Sequence, residues 1–355
     1  MANANFWKNR RVLVTGHTGF KGSWLVIWLK SMGAEVIGYA LDPYTSEDNY
    51  VLSGIADKIT DIRGDIRDRE KLADTFAEYQ PEIVFHLAAQ SLVLPSYTNP
   101  YETYEINVMG TMNVLECIRL SDSVKEGIFI TTDKCYENKE TLRGYVETDP
   151  FGGYDPYSSS KGCDEILIAS YRTSFFPVED YDKHGKAIAS VRAGNAIGGG
   201  DWSDSRILPD CIRAIEKGED ILIRNRSAVR PWQHVLEPLN GYLCVAEKMA
   251  ENPQKFSGGW NFGPKEDSIW TVWDVASEAI KCYGKGTLVD GTKEDAPHEA
   301  GKLVLNIDKA CRELEWKPRL DVAKAIEWTV SWYKRRKSES VYDICLEQIE
   351  EYSRL

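Results

Sequence analysis

Tyr157 and Lys161 lie four residues apart in the segment YDPYSSSK, and Pro156 directly before them is typical of the first turn of a helix. Helical spacing places both side chains on one face, one turn apart. An ammonium group beside a phenol favours the phenolate by Coulomb attraction, so Tyr157 can take a proton from an alcohol near neutral pH. The alternative is a surface Tyr/Lys pair, because this spacing is frequent by chance.

A second group of polar residues, in the segment TTDKCY, follows an apolar strand pattern. Thr132 can hydrogen-bond the hydroxyl that Tyr157 deprotonates. Oxidation alone needs no further acid or base, so the adjacent Asp133 and Lys134 indicate a second proton-transfer step, with Lys134 as the base and Asp133 as the acid. Lys134 must be neutral when it acts, which partial burial or the nearby Lys161 charge favours. The alternative is that Lys134 only pairs with Asp133 or with a phosphate.

The segment TGHTGFKG lies between the first strand and the first helix and has the spacing GxxGxxG. Glycines here allow a tight turn and close backbone approach to a pyrophosphate, while the helix amino terminus presents free N–H groups to the anion. An ordinary glycine-rich turn is the alternative. The position between a strand and a helix near the start of the chain favours dinucleotide binding.

The end of the second strand bears on which dinucleotide is bound. Tyr39 and Ala40 stand where a ribose-binding carboxylate is usual, and Asp42 is the first carboxylate after them. No Arg follows to attract a 2′-phosphate, so we expect NAD rather than NADP. The predicted cofactor contacts are Gly16, Gly19, Phe20, Lys21, Asp42, Asp65, Ile66, Leu87, Ala88, Ala89, Gln90, Thr131, Tyr157 and Lys161.

These residues need a scaffold, and strand and helix patterns alternate through residues 11–192. Strands are predicted near 11–14, 35–39, 59–62, 83–87, 127–131 and 187–192, and helices near 22–32, 69–79, 107–120 and 157–171. Such alternation predicts an α/β fold, a Rossmann-type doubly wound parallel sheet. We expect a dinucleotide-binding domain over 1–192 with a returning segment near 234–262, and a smaller C-terminal substrate-binding lobe, mainly 193–355. The lobe pattern predicts helices near 207–217, 235–250, 270–283 and 320–336, then a docked terminal helix or an oligomer contact over 337–355.

The composition argues against several classes of protein. The 355 residues include 43 Lys+Arg and 55 Asp+Glu, a net charge of −12, which argues against sequence-independent nucleic-acid binding. No apolar stretch has the length of a signal peptide or a membrane span. The eight cysteines are scattered without metal-site spacing, so we expect reduced thiols, no metal and a cytoplasmic protein.

Taken together, the motifs resemble the extended short-chain dehydrogenase/reductase family, and within it the nucleotide-sugar 4,6-dehydratases. The resemblance extends along most of the chain through TGHTGFKG, HLAAQ, ETYEINVMGT, TTDKCY, YSSSK, RAGNAIGGGD, RPWQHV and NIDKACRELEWKP. Most such dehydratases carry Thr-Asp-Glu at the catalytic strand end, whereas here the third residue is Lys134. That departure, with ALDPYT and PHEAGK, is similar to the branch that acts on CDP-glucose.

The resemblance implies a lyase that converts CDP-D-glucose to CDP-4-dehydro-6-deoxy-D-glucose and water, with NAD regenerated in each cycle. It implies an entry step to CDP-linked 3,6-dideoxyhexoses of lipopolysaccharide O-antigen, and a homodimer or homotetramer. Another nucleotide-sugar 4,6-dehydratase, a nucleotide-sugar 4-epimerase and a non-catalytic NAD-sensing module are the alternatives. The candidate substrate contacts are Asn195, Arg206, Arg224, Arg230 and His298, since an acidic protein must bind a diphosphate through local cations and polar groups.

Overall fold

A computed structural model describes residues 2–139, 143–265, 268–291 and 303–355. Its strands are β1 Arg11–Thr15, β2 Glu35–Ala40, β3 Thr60–Arg63, β4 Ile83–His86, β5 Glu126–Ile130, β6 Ala187–Ala193, β7 Ala196–Ile197, β8 Ile221–Ile223, β9 Val229–Pro231, β10 Gln233–His234, β11 Gly258–Phe262, β12 Ile269–Thr271 and β13 Leu288–Asp290. Its α-helices are α1 Ala4–Trp7, α2 Phe20–Ser31, α3 Asn49–Ser53, α4 Arg69–Tyr79, α5 Val93–Thr98, α6 Pro100–Tyr104, α7 Gly110–Leu120, α8 Pro156–Ser174, α9 Tyr181–His184, α10 Ile207–Lys217, α11 Leu236–Glu251, α12 Pro253–Phe256, α13 Val272–Tyr283, α14 Asp308–Glu313, α15 Val322–Arg335 and α16 Val341–Arg354. Short 3₁₀ segments and a π-helical turn over Glu105–Met109 complete the secondary structure of these residues.

The central sheet has seven strands in the order β11-β6-β5-β4-β1-β2-β3, and every neighbouring pair is parallel. The chain order reverses between β1 and β4. At the carboxyl end of β1, Thr15 pairs with His86 of β4 on one side and with Tyr39 of β2 on the other. Ligands of open α/β sheets bind at such a switch point. This topology confirms the predicted doubly wound parallel sheet.

Apolar side chains on both faces of the sheet account for its buried strands. One core cluster joins β1, β4 and β6 to α2, α11, α15 and α16, and a second, on the other face, joins the sheet to α4, α7 and α8. In β4, Ile83 and Phe85 are buried in the first cluster and Val84 in the second, so burial on both faces explains an apolar run without alternation. The two layers of helices hold the carboxyl edge of the sheet rigid around the switch point.

The second part of the chain adds three two-stranded sheets, β7 with β10, β9 with β12 and β8 with β13. The helices predicted near 207–217, 235–250, 270–283 and 320–336 are present as α10, α11, α13 and α15. The terminal helix α16 is docked, because Val341, Ile344, Cys345 and Ile349 are buried in the main core cluster. None of the helices in the described residues is long and apolar enough to cross a membrane. All eight cysteines lie in the described residues, and none forms a disulfide.

Glu126, the first residue of β5, is a buried carboxylate whose ionisation opposes folding. Its exposed fraction is 7%, and burial raises its pKa to about 7. Because the folded pKa lies above the unfolded value near 4.5, the stability that Glu126 provides is complete below that value and is lost as the pH rises through 7. Glu126→Gln should therefore be more stable than the parent at pH 8, by on the order of 1–3 kcal/mol, with the difference shrinking towards pH 5.

Urea unfolding at pH 8 and at pH 5 measures this difference. Glu35 also begins a strand of the same sheet but is exposed, so Glu35→Gln is the matched control and should change stability little at either pH. An effect of Glu126→Gln on stability that is the same at both pH values would show that folding does not raise the pKa of Glu126.

Candidate active site

The glycine turn between β1 and α2 packs tightly against both neighbouring strands. Gly16 has a φ of +73°, and a Cβ there would lie 2.7 Å from the backbone nitrogen of Ala88. A Cβ on Gly22 would lie 2.1 Å from the carbonyl oxygen of Gly16. Any side chain at Gly16 would therefore push the turn away from the end of β4, and one at Gly22 would push α2 away from the turn.

Gly19 marks the amino end of α2, and its surroundings fit a dinucleotide pyrophosphate. Gly19 is the N-cap residue, no side chain caps the helix, and a Cβ there would meet nothing closer than 3.4 Å. The first N–H groups of this 12-residue helix therefore remain available to an anion at the switch point. The cradle fits the cofactor that the sequence predicts.

The carboxylates predicted to contact the adenosine are both engaged by arginines, Asp42 by the distant Arg63 and Asp65 by Arg67, two residues further along the chain. Asp42 is 88% exposed and lies 3.4 Å from Nε of Arg63, which arrives from the end of β3 and also pairs with Asp61. Arg67 binds both carboxylate oxygens of Asp65 and lowers its pKa. Contacts of Asp42 and Asp65 with a ribose or adenine stay predictions.

The turn after β4 lies against the glycine turn and is fixed by Asn107. The predicted contacts Leu87, Ala88, Ala89 and Gln90 are all half-buried here. The Gln90 backbone N–H donates to Oδ1 of Asn107 (2.8 Å), and Nδ2 of Asn107 donates to the Gln90 carbonyl (3.0 Å) and to Oγ of Ser160 (2.8 Å). Asn107 thus ties the β4 turn to α8, a role that its place in ETYEINVMGT had not revealed.

Tyr157 and Lys161 lie one turn apart near the start of α8, as predicted. The Asp155 side chain caps the helix by accepting from the Ser158 N–H (2.9 Å), and Pro156 occupies the first turn. The Tyr157 N–H donates to Oγ of the buried Ser96 on α5 (3.1 Å). Tyr157 is 8% exposed and Lys161 4%, so the pair is an interior feature and not a surface one.

Thr132, Asp133 and Lys134 form a tight polar group at the carboxyl end of β5. Oγ1 of Thr132 donates to Oδ1 of Asp133 (2.9 Å), and Nζ of Lys134 lies 3.4 Å from the same oxygen. Asp133 is 2% exposed, whereas the Lys134 side chain is 32% exposed. A buried carboxyl group and a more accessible amine therefore stand side by side as an ion pair, and their roles as acid and base stay predictions.

A buried ion pair anchors this strand end. Nη2 of Arg192 on β6 binds Oε2 of Glu165 on α8 (2.8 Å), and Oγ1 of Thr131 donates to the other carboxylate oxygen. Arg192 also donates to the Tyr136 hydroxyl, just after the Asp133 segment. Removing one member would leave a buried charge without a partner, which typically costs about 3–5 kcal/mol.

Lys21, predicted as a cofactor contact, also faces the catalytic strand end. Burial, and after it the charge of Arg206, lower the pKa of the Lys21 ammonium to about 8. The charges of Asp133 and Lys134 also act on this pKa, so Lys21 lies within electrostatic range of the group at the end of β5. No local sequence pattern predicts this proximity, because more than a hundred residues separate the two segments.

The cations predicted to bind the diphosphate occupy different surroundings. Arg206 is the N-cap residue of α10 and binds Asp201 (2.7 Å), while Arg230 lies half-buried on β9 opposite Trp270. Arg224 is exposed, and the Asn195 carbonyl accepts from the Gln233 N–H (3.2 Å). His298 lies outside the described residues. Their substrate contacts remain predictions.

Comparison with known proteins decides the family. A sequence model described as GDP-mannose 4,6 dehydratase matches residues 13–329. The chain belongs to the GDP-mannose 4,6-dehydratase family. The resemblance to nucleotide-sugar 4,6-dehydratases inferred from TGHTGFKG, TTDKCY and YSSSK is thereby confirmed.

Members and structural relatives of this family differ in the substrates they are named for. CDP-glucose 4,6-dehydratase of Salmonella typhimurium is 48% identical over 336 residues, 94% of this chain and 93% of the relative. dTDP-glucose 4,6-dehydratase of Shigella flexneri is 26% identical, covering 91% and 92% of the two chains. The crystal structure of Thermus thermophilus UDP-glucose 4-epimerase in complex with NAD superposes with a TM-score of 0.72 at 26% identity, covering 91% and 99% of the two chains.

Proposed function

We propose that the protein is a hydro-lyase that converts CDP-D-glucose to CDP-4-dehydro-6-deoxy-D-glucose and water, with NAD as a catalytic cofactor. The observation that carries the reaction type is the coexistence of two proton-transfer groups, the buried Tyr157 and Lys161 and the adjacent Asp133 and Lys134. The 48% identity to a CDP-glucose 4,6-dehydratase supports the choice of nucleotide. The glycine cradle at α2 supports the choice of cofactor.

The first half of the reaction is an oxidation at C4 of the glucose. Tyr157 removes the proton from the 4-hydroxyl, Thr132 holds that hydroxyl, and Lys161 stabilises the phenolate by its charge. NAD, when bound, supplies the hydride chemistry, accepting at C4 and returning at C6. Gly16 and Gly19 let the backbone approach the pyrophosphate, and Leu87 to Gln90 line the next turn.

The second half is an elimination across C5 and C6. The 4-keto group acidifies the C5 proton, Lys134 removes that proton, and Asp133 protonates the departing 6-hydroxyl, which leaves as water. The buried Asp133, held by the Thr132 hydroxyl (2.9 Å), is oriented for this proton transfer. Hydride return to C6 balances the oxidation at C4, so the net change is loss of one water.

A nucleotide-sugar 4-epimerase shares the fold, the cofactor and the Tyr/Lys pair. An epimerase transfers hydride to and from C4 and has no use for an acid and a base at C5 and C6. The Asp133–Lys134 group therefore favours the dehydratase. An NAD-sensing module without catalysis has no use for either pair.

We also propose a homodimer or homotetramer in the cytoplasm that binds its nucleotide sugar through Arg206, Arg230 and Asn195, with Arg224 and His298 as further candidates. An Arg fork can bind a phosphate through two hydrogen bonds, which suits the diphosphate. The product would enter the synthesis of 3,6-dideoxyhexoses. Light scattering on the purified protein measures the oligomer.

A panel of nucleotide sugars tests the activity and the base together. The purified protein is incubated with NAD and with CDP-, dTDP-, UDP- or GDP-glucose, and the products are identified by mass and, for isomers of equal mass, by proton NMR of the sugar. Loss of one water from CDP-glucose alone is the expected result. Loss of water from another donor would reassign the nucleotide, and formation of galactose without loss of mass would establish an epimerase.

Cofactor choice gives a further prediction from the Asp42–Arg63 pair. Because Asp42 and Asp61 both neutralise Arg63, this arginine is not available to attract a 2′-phosphate, and NAD should bind more tightly than NADP. Asp42→Asn should raise NADP affinity by about 2- to 5-fold and leave NAD affinity nearly unchanged, since an exposed pair contributes about 1 kcal/mol or less. Titration of tryptophan fluorescence with each cofactor measures both constants. A parent protein that prefers NADP would refute the assignment.

A further inference from the structure

The Lys161 ammonium is held inside the protein by a carboxylate that the proposed reaction does not use. Nζ of Lys161 donates to Oδ2 of Asp164, three residues further along α8, at 2.9 Å. The side chains are 4% and 1% exposed. Burying an unpaired ammonium is costly, so the carboxylate stabilises the charged form of Lys161 beside Tyr157.

The other charged groups around this pair, among the described residues, have partners of their own. Arg206, whose charge acts on Tyr157, is paired with Asp201 (2.7 Å). Glu165 on α8 is neutralised by Arg192. His86 on β4 is hydrogen-bonded to Thr15 (2.7 Å) and to Thr111 (3.0 Å), and burial, with the Lys161 charge, lowers its pKa to about 3, so it is neutral. Among the described residues, Asp164 is thus the carboxylate that balances Lys161.

The charge states of the pair follow from the same contacts. Burial lowers the pKa of Lys161, but the charges of Asp164 and then Tyr157 outweigh burial and leave that pKa raised. Burial raises the pKa of the Asp164 carboxyl to about 6, so it is still ionised at pH 7 to 8. Tyr157 therefore faces an ammonium–carboxylate pair with no net charge instead of a lone cation.

We propose that Asp164 is a positioning residue that holds the Lys161 ammonium at Tyr157 and sets the pH at which Tyr157 gives up its proton. The proposal rests on the proposed role of Tyr157 as the base. With Asp164 ionised, loss of the Tyr157 proton changes the net charge of Tyr157, Lys161 and Asp164 from 0 to −1. Without the Asp164 charge, the same step changes the net charge from +1 to 0. The phenolate would then form at lower pH.

The pH profile distinguishes this role from a structural one. Asp164→Asn keeps an oxygen that can accept from Lys161 but removes the charge, and the acid limb of kcat/KM should move to lower pH by about one unit. Asp164→Glu keeps the charge, and its limb should stay near that of the parent. Asp155→Asn, which changes a carboxylate in the cap of the same helix, is the matched control and should not move the limb. A uniform loss of activity in Asp164→Asn with an unmoved limb would overturn the proposal.

A double-mutant cycle in thermal unfolding tests the pair without substrate or cofactor. Asp164→Asn and Lys161→Met each leave one buried charge without a partner, so each should lower Tm, and the double variant should lose less than the sum of the two. Additive losses would refute the pairing whatever the donor panel shows. If no nucleotide sugar is converted, the proposed function fails, but the double-mutant cycle still measures the interaction between Lys161 and Asp164. If Asp164→Asn does not fold, Asp164→Ser replaces it in both measurements.

Discussion

Tyr157→Phe should lower kcat for dehydration by about 10²- to 10⁴-fold while the affinities for NAD and for the nucleotide sugar change little. The phenol supplies only the proton-transfer oxygen, and a general base typically contributes this factor. Its ring is buried at 8% exposure and would remain packed in the phenylalanine variant, so the fold should be retained. Steady-state turnover and fluorescence titrations of both ligands separate the effect on chemistry from the effect on binding.

Tyr154→Phe is the matched control, because Tyr154 is 86% exposed and lies three residues before the helical pair. This variant should turn over at the parent rate. Formation of reduced cofactor in a single turnover at the parent rate by the Tyr157→Phe protein would show that another group takes the 4-hydroxyl proton.

Lys134→Met is the second change with a large expected effect, and it should stop the reaction after the oxidation. The amine stands at the end of β5, 3.4 Å from the buried Asp133, and is the proposed acceptor of the C5 proton. Without it, exchange of the C5 proton with solvent deuterium should fall by about 10²-fold or more, and the 4-keto sugar should accumulate on the protein.

Mass spectrometry of the sugar recovered from deuterated buffer measures that exchange. Lys139→Met removes an exposed lysine that pairs with Glu137 in the same segment, and its exchange rate should match that of the parent. Exchange that is unchanged in Lys134→Met would leave Lys134 as only the ion-pair partner of Asp133, the alternative that the sequence also allowed.

The sheet and the catalytic helix could be predicted because their signals are local. Six of the seven strands of the central sheet lie where the sequence predicts strands, and Pro156 with Asp155 marks the start of α8 within two residues. Two short helices between β4 and α7 were not foreseen. Pro95 and Pro100 break the pattern there, yet α5 carries Ser96, which accepts the hydrogen bond from the Tyr157 backbone.

The charge partners of the site could not be predicted, because they depend on contacts between distant segments. Arg63 reaches Asp42 only because β3 lies beside β2 in the sheet, and Lys21 reaches the end of β5 only across the switch point. Asp164 lies three residues after Lys161 in the sequence. Helical spacing alone does not show whether its side chain contacts Lys161 or solvent, since the first turns of α8 are rich in polar residues.

The edge strand β11 is the last strand of the central sheet to be synthesised. β6 ends at Ala193, but its outer partner β11 does not begin until Gly258, after β7 to β10 and α10 to α12 have been synthesised. Until Phe262 has emerged, the nascent protein carries an open, apolar strand edge, the feature that promotes aggregation of unfinished sheets. A fragment that ends in that interval leaves the outer edge of β6 without its partner strand, so the residues up to Phe262 are needed to complete the seven-stranded sheet.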